Sequence, residues 1–198
     1  MKFPSSTQAA NSWEMLSSET CYADPHLAVT KVEMRTPTRP AGQRWTVVQR
    51  KAAVVIAALT RDEKLVLIHE ERVPVQAALW SVPAGQIDQE SDEIEEVARR
   101  ELQEETGYGL APDGELLSLG HFFTSAGLTD ERGNFFLARP VELSASGAAH
   151  QSSESILECR AFSAAEITAM IAQNEIRDGN TLSICAVLSA RGYFSLGN

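Results

Sequence analysis

The stretch GQIDQESDEIEEVARRELQEETGY, running from Gly85 to Tyr108, decides the reading of this chain. Taken as a helix and advanced by about 100° per residue from Ile94, it puts Val97 at roughly −60°, Ala98 at roughly +40° and Leu102 at roughly +80°. These residues mark an apolar arc that must face inward, yet Glu101 at about −20° and Glu105 at about +20° occupy its middle. Like charges four residues apart cost about 0.2–0.5 kcal/mol even when exposed, and more when desolvated, so a compensating cation is expected. Glu93, Glu95 and Glu96 fall off the arc and read as a solvated face. Glu104, at roughly −80°, stands at the edge and can widen a site built on the other two. Hard oxygen donors gathered on one helix suit Mg²⁺ or Mn²⁺. Arg100 lies four residues from both Glu96 and Glu104; either it orients the carboxylates or it is a surface ion pair of little weight.

Working outward, LWSVPAG ends in a bend that leads into this helix. Before it, KAAVVIAAL (Lys51 to Leu59), the turn TRDEK and the run LVLIHE read as a hairpin whose first strand is buried. After it, GELLSLGHFF and NFFLARPVEL read as strands joined by the loop TSAGLTDERG. The segment SASGAAHQSSES has no periodicity and reads as a loop. Two helices close the chain: FSAAEITAMIAQ, with Ser163 and Glu166 placed as a capping box, and TLSICAVLSARG, stopped by Gly192. Alternating helices and antiparallel hairpins imply an α/β fold with a mixed sheet sandwiched by helices, over residues 51–198. Residues 1–12 read as a loose tail. Residues 13–50, with LAVTKVEM and RWTVVQ flanking the turn cluster TPTRPAG, read as a small antiparallel β subdomain.

At 198 residues and 43% hydrophobic, the chain has length for one ordinary domain and a small addition. Its 17 basic and 27 acidic residues give a net charge of −10, which disfavours a nucleic-acid-coating surface. A phosphorylated small molecule remains compatible with that charge if divalent cations stand between. Three separated cysteines fit neither a disulfide framework nor a zinc cluster, and are expected as reduced thiols in the cytoplasm. The longest apolar run, Ala52 to Leu59, is too short for a membrane span, and no signal peptide is expected.

The second half of the opening stretch, Arg100-Glu101-Leu102-Gln103-Glu104-Glu105-Thr106-Gly107, resembles the signature box of the Nudix hydrolases. The first half departs from that pattern: Asp92 stands where the box has Glu, and one extra residue separates it from Gly85. Arg72 ahead of LWSVPAG, and the loop Ser125-Ala126-Gly127-Leu128-Thr129-Asp130-Glu131, are similar to the ADP-ribose pyrophosphatase branch of that family. The resemblance implies a Nudix-type α/β/α sandwich in which the Ala84 carbonyl, Glu101, Glu104 and Glu105 hold Mg²⁺ or Mn²⁺. It further implies that Glu101 and Glu105 serve catalysis, with Arg100 and Asp92 supporting the site. Glu131 is implied as general base, against the alternative of an ordinary loop acid. Arg72 and Arg50 are implied as phosphate clamps, with Gly127 in the substrate loop; each arginine read by itself could equally be a surface cation. The reaction implied is hydrolysis of a nucleoside diphosphate-linked substrate, ADP-ribose or a nucleotide sugar, to a nucleoside monophosphate and a sugar phosphate. Other readings are hydrolysis of nucleoside triphosphates or dinucleoside polyphosphates, and a silent module that senses ADP-ribose. Residues 13–50 are implied as a homodimer element.

Overall fold

The computed structural model describes residues 13–88, 93–145, 148 and 155–197. The tail expected over 1–12, Asp92, and most of the loop expected over 144–155 lie outside these residues. The chain divides into two compact units: the first runs to Lys51 and takes in Ser125–Glu131, and the second comprises Ala52–Thr124 and the chain from Arg132 on.

The first unit is a three-stranded antiparallel sheet of β1 (Glu14–Ala23), β2 (Leu27–Thr36) and β3 (Arg39–Arg50), in that order. β1 was not legible beforehand, because EMLSSETCYA is exposed at every position and so shows no buried alternation. The turn cluster proves narrower than TPTRPAG suggests, since Thr36 already pairs with Arg39 and Pro40 lies within β3. Gly42, at φ 89°, fits there because a Cβ would come within 2.8 Å of the Leu16 side chain.

The second unit carries β4 (Ala53–Thr60), β5 (Leu65–Arg72), a 3-10 turn at Val73–Val75, β6 (Ala77–Ser81), β7 (Ala84–Gln86), α1 (Ile94–Thr106), β8 (Tyr108–Phe123), β9 (Arg132–Leu143), β10 (Ile156–Phe162), α2 (Ala164–Ala172) and α3 (Gly179–Ala190). Its sheet runs β10-β5-β4-β9-β8, with β6 on β5 and β7 on β4. β4 and β9 pair in parallel while the other ladders are antiparallel, so the sheet is mixed as expected.

The apolar run of β4 explains the layering. Val55, Ala57 and Leu59 pack with Ile167 of α2 and Ile184, Cys185 and Leu188 of α3. Val54, Ile56 and Ala58, pointing the other way, pack with Val97, Ala98 and Leu102 of α1. A strand covered on both faces needs no polar alternation, which is why this one reads as a continuous apolar run. The α/β/α sandwich follows from that pattern.

The two late helices begin on built caps. Ser163 Oγ accepts the Glu166 N–H at 3.3 Å while the Glu166 carboxylate accepts the Ser163 N–H at 2.8 Å, the reciprocal arrangement expected from sequence. α3 starts at Asp178, whose Oδ2 accepts both the N–H and the hydroxyl of Thr181. β10 was not anticipated: ILECRAF follows a segment without pattern, and three of its seven residues face solvent. Among the described residues no helix is long and apolar enough to cross a membrane. Cys21 is exposed, Cys159 half-buried and Cys185 buried, and all three are free thiols.

Candidate active site

The floor of the site is the bend Val82–Gly85. Val82 donates its N–H to the buried Thr181 hydroxyl at 3.0 Å, and the Pro83 carbonyl accepts the Ile56 N–H at 2.9 Å. β7 then pairs with β4, Ala84 opposite Val55 and Gly85 opposite Val54, so the bend is fixed by both the core strand and α3.

α1 lies against this floor. Its buried residues are Val97, Ala98, Glu101, Leu102, Glu105 and Thr106, so both acids face inward as the wheel requires. Glu101 is 5% and Glu105 4% exposed, whereas Glu93, Glu95 and Glu96 are exposed. Ile94, taken as part of the inward arc, is 36% exposed because it opens the helix ahead of the turns that meet the sheet. The helix ends at Gly107, whose φ of 73° lets its N–H reach back to the Gln103 carbonyl.

Each acid has a defined place. Glu105 Oε2 accepts the Ala84 N–H at 2.9 Å. Glu101 fills the space over Gly85, where an added Cβ would overlap its carboxylate; glycine here is a requirement of close approach. Arg100 joins Glu101 at 2.7 Å and Glu104 at 2.9 Å, whereas Glu96, expected as a partner, pairs with Arg99 at 3.6 Å. Burial opposes the guanidinium's charge, but Glu101 and Glu104 outweigh it and raise its pKa. Beside the helix end, Cys159 of β10 lies 3.8 Å from the Thr106 carbonyl, and burial, with Glu105 nearby, pushes its thiol up to about 11.

The metal set expected, Ala84 with Glu101, Glu104 and Glu105, is not preassembled as a cage. Among the described residues no three His, Cys, Asp or Glu side chains converge closely enough to enclose an ion. Glu101 and Glu104 share Arg100, while Glu105 is held on the Ala84 N–H. The donors nevertheless fit a divalent ion. Three carboxylates against one guanidinium leave this group two negative charges in excess, two of the acids are buried, and all the donors are hard oxygens.

The remaining expected residues fall into two groups. Arg72, in the second unit, pairs with the buried Glu70 at 2.8 Å and lines a cavity of about 400 Å³ with Glu71, Val73, Gln76, Ala77 and Ala78. Arg50, Gly127 and Glu131 belong to the first unit, where Arg50 Nε lies 3.3 Å from Glu131 Oε1. Gly127 meets no neighbour within 4 Å of an added Cβ, so packing does not demand glycine there. Sequence reasoning missed two roles: the hollow at Gly85, signalled only by the bend before the box, and the Asp130 side chain, which accepts the Arg50 N–H at 2.9 Å across 80 residues of chain.

Comparison with known proteins adds four findings. The family model described as NUDIX domain matches residues 49–183. The chain is 33% identical over 117 residues to the ADP-ribose pyrophosphatase of Bacillus subtilis (strain 168), a match covering 59% of this chain and 60% of that protein's length. It is 27% identical over 181 residues to the ADP-ribose pyrophosphatase of Mycobacterium tuberculosis, covering 91% of this chain and 84% of the other. A solved structure described as that of an ADP compounds hydrolase superposes with a TM-score of 0.70 at 19% identity, over 92% of this chain and 97% of that one, which is a likeness of fold.

Proposed function

From the premise that the chain belongs to the NUDIX family, we propose that it is a metal-dependent pyrophosphohydrolase acting on ADP-ribose or a related nucleotide sugar. The products would be a nucleoside monophosphate and a sugar phosphate. One observation carries this reading: two carboxylates, Glu101 and Glu105, are buried on the inner face of α1 against a bend whose glycine makes room for Glu101 and whose Ala84 N–H meets Glu105. A stability role does not account for them, since an apolar pair at those positions would bury more favourably. Likeness to two ADP-ribose pyrophosphatases supports the substrate class.

Glu101, Glu104 and Glu105, with the Ala84 carbonyl, would hold Mg²⁺ or Mn²⁺. A divalent ion in that set supplies Lewis acidity toward the diphosphate and compensates its charge. Arg100 keeps Glu101 and Glu104 oriented, while the Ala84 N–H fixes one oxygen of Glu105. Arg72 and Arg50 would bind phosphate oxygens, each by exchanging its carboxylate partner for the substrate. Glu131 would accept the proton of the attacking water. Asp92 would brace the loop before α1.

A homodimer through residues 13–50 belongs to the same proposal. The continuous exposure of β1, with Met15, Tyr22 and the preceding Trp13 each more than half exposed, supports it, and the molecular mass in solution, read by sedimentation, tests it. A cytoplasmic setting is supported by the three free thiols.

The test is a panel of ADP-ribose, nucleotide sugars and nucleoside triphosphates with Mg²⁺ or Mn²⁺, in which both products are identified. AMP with ribose 5-phosphate is expected from ADP-ribose. Release of inorganic pyrophosphate from a triphosphate would instead favour the other substrate class, and binding of ADP-ribose without turnover would favour a sensing module. Mg²⁺ should also raise the melting temperature of the wild type and not of Glu105→Gln, a readout independent of turnover.

A further inference from the structure

The loop Ser125–Glu131 is fastened to β3 through several atoms. Val48 donates its N–H to the Leu128 carbonyl at 2.9 Å, and the Asp130 N–H reaches the Val48 carbonyl at 3.4 Å. Asp130 Oδ1 accepts the Arg50 N–H at 2.9 Å, while within the loop Thr129 Oγ1 accepts the Glu131 N–H at 3.0 Å. Last comes the ion pair of Arg50 with Glu131 at 3.3 Å.

The two neighbouring acids thus answer to one residue through different atoms. Asp130 holds the main chain of Arg50, and Glu131 holds its side chain. A main-chain N–H within a strand stays where the strand puts it. A guanidinium on a long stem, 40% exposed, is free to turn toward a phosphate that offers it a bidentate match.

From this asymmetry we infer that Asp130 is a positioning residue, registering the loop on β3 through the Arg50 main chain, while Glu131, joined to Arg50 through its side chain, does not set that register. The inference builds on the hydrolase reading above, in which Glu131 is the base. It separates two adjacent carboxylates that the sequence alone leaves interchangeable.

Three variants test it, with ADP-ribose and Mg²⁺ as substrate and with hydrogen exchange at the Arg50 amide as second readout. Asp130→Asn keeps an oxygen that accepts the amide, and its kcat should stay within about threefold of wild type. Asp130→Ala should lower kcat about tenfold with KM within about twofold, and should speed Arg50 exchange, because a small misplacement of a catalytic group is enough to slow the reaction. Glu131→Gln should lower kcat about a hundredfold or more and leave Arg50 protected. If Asp130→Asn is as inactive as Asp130→Ala, the Asp130 charge takes part in the chemistry and the assignment is overturned. Unchanged exchange and kcat in Asp130→Ala would also overturn it. Should Asp130→Ala fail to fold by circular dichroism, the contrast of Asp130→Asn with Glu131→Gln decides. If the wild type hydrolyses no compound of the panel, the hydrolase reading fails, and the exchange data still decide whether Asp130 holds the loop.

Discussion

Helices α1 and α3 pack on opposite faces of the same sheet, against alternate residues of the same strand, and they bury different chemistry. α3 turns Thr181, Ile184, Cys185 and Leu188 inward; its single polar group is enclosed by Asp178 and the Val82 N–H. α1 turns inward Val97, Ala98 and Leu102, and with them two carboxylates. One layer is what a stable sandwich requires, at about 1.5–3 kcal/mol for each large apolar side chain buried. The other gives up part of that gain at two positions. The difference teaches that an acid buried in an otherwise apolar arc is better explained by a ligand it must meet than by the fold it sits in.

The largest expected effect breaks the comparison on the α1 side. Glu101→Gln or Glu105→Gln should reduce kcat about a thousandfold, while thermal unfolding without metal shows a melting temperature equal to or above that of the wild type. Loss of the fold instead would give these acids a structural role and erase the contrast with α3. On the other face, Ile184→Ala should lower stability by about 2–5 kcal/mol in urea titrations and leave the kcat of the folded fraction nearly unchanged. A smaller effect sharpens the boundary between floor and helix: Gly85→Ala places a methyl in the space of the Glu101 carboxylate, and kcat should fall about tenfold. Retained activity would show that the hollow is not needed.

The smallest effect is a pH dependence set by α3. Burial raises the Cys185 thiol to about 12 from its ordinary 9, so the folded pKa lies above the unfolded one. Its contribution to stability is therefore complete below about pH 9 and is lost as pH rises toward 12. The melting temperature should decline across that window. In Cys185→Ala the decline should be shallower; an identical slope would move the effect to Cys159, pushed up to about 11 by the same cause.

Much of this molecule was legible in advance where one local rule dominates. The inward acids of α1 followed from a helical period, the Ser163–Glu166 cap from a three-residue spacing, and the buried hairpin from an apolar run with a polar turn. β1 and β10 were not, because a strand exposed on both faces or along part of its length leaves no alternation to detect. In the site, residue type and spacing identified the acids but not their partners. The Asp130 contact with Arg50 and the Glu101 contact with Gly85 depend on how strands and loops meet, which spacing does not encode. The carboxylates were expected as a set around a metal; within the chain Glu101 and Glu104 also meet Arg100, and Glu105 meets the Ala84 N–H.

The end of α1 adds one more consequence. A helix collects partial negative charge at its carboxyl end, equivalent to about half an elementary charge. Acids are favourable in a first turn and unfavourable in a last one; Glu104 and Glu105 lie in the last turn, which contains no basic residue. The carbonyl groups of that turn and the two carboxylates therefore pull in the same direction. The aligned dipoles that make this end of the bare helix prone to fray become an added attraction for a cation, so metal binding should tighten the final turn before Gly107.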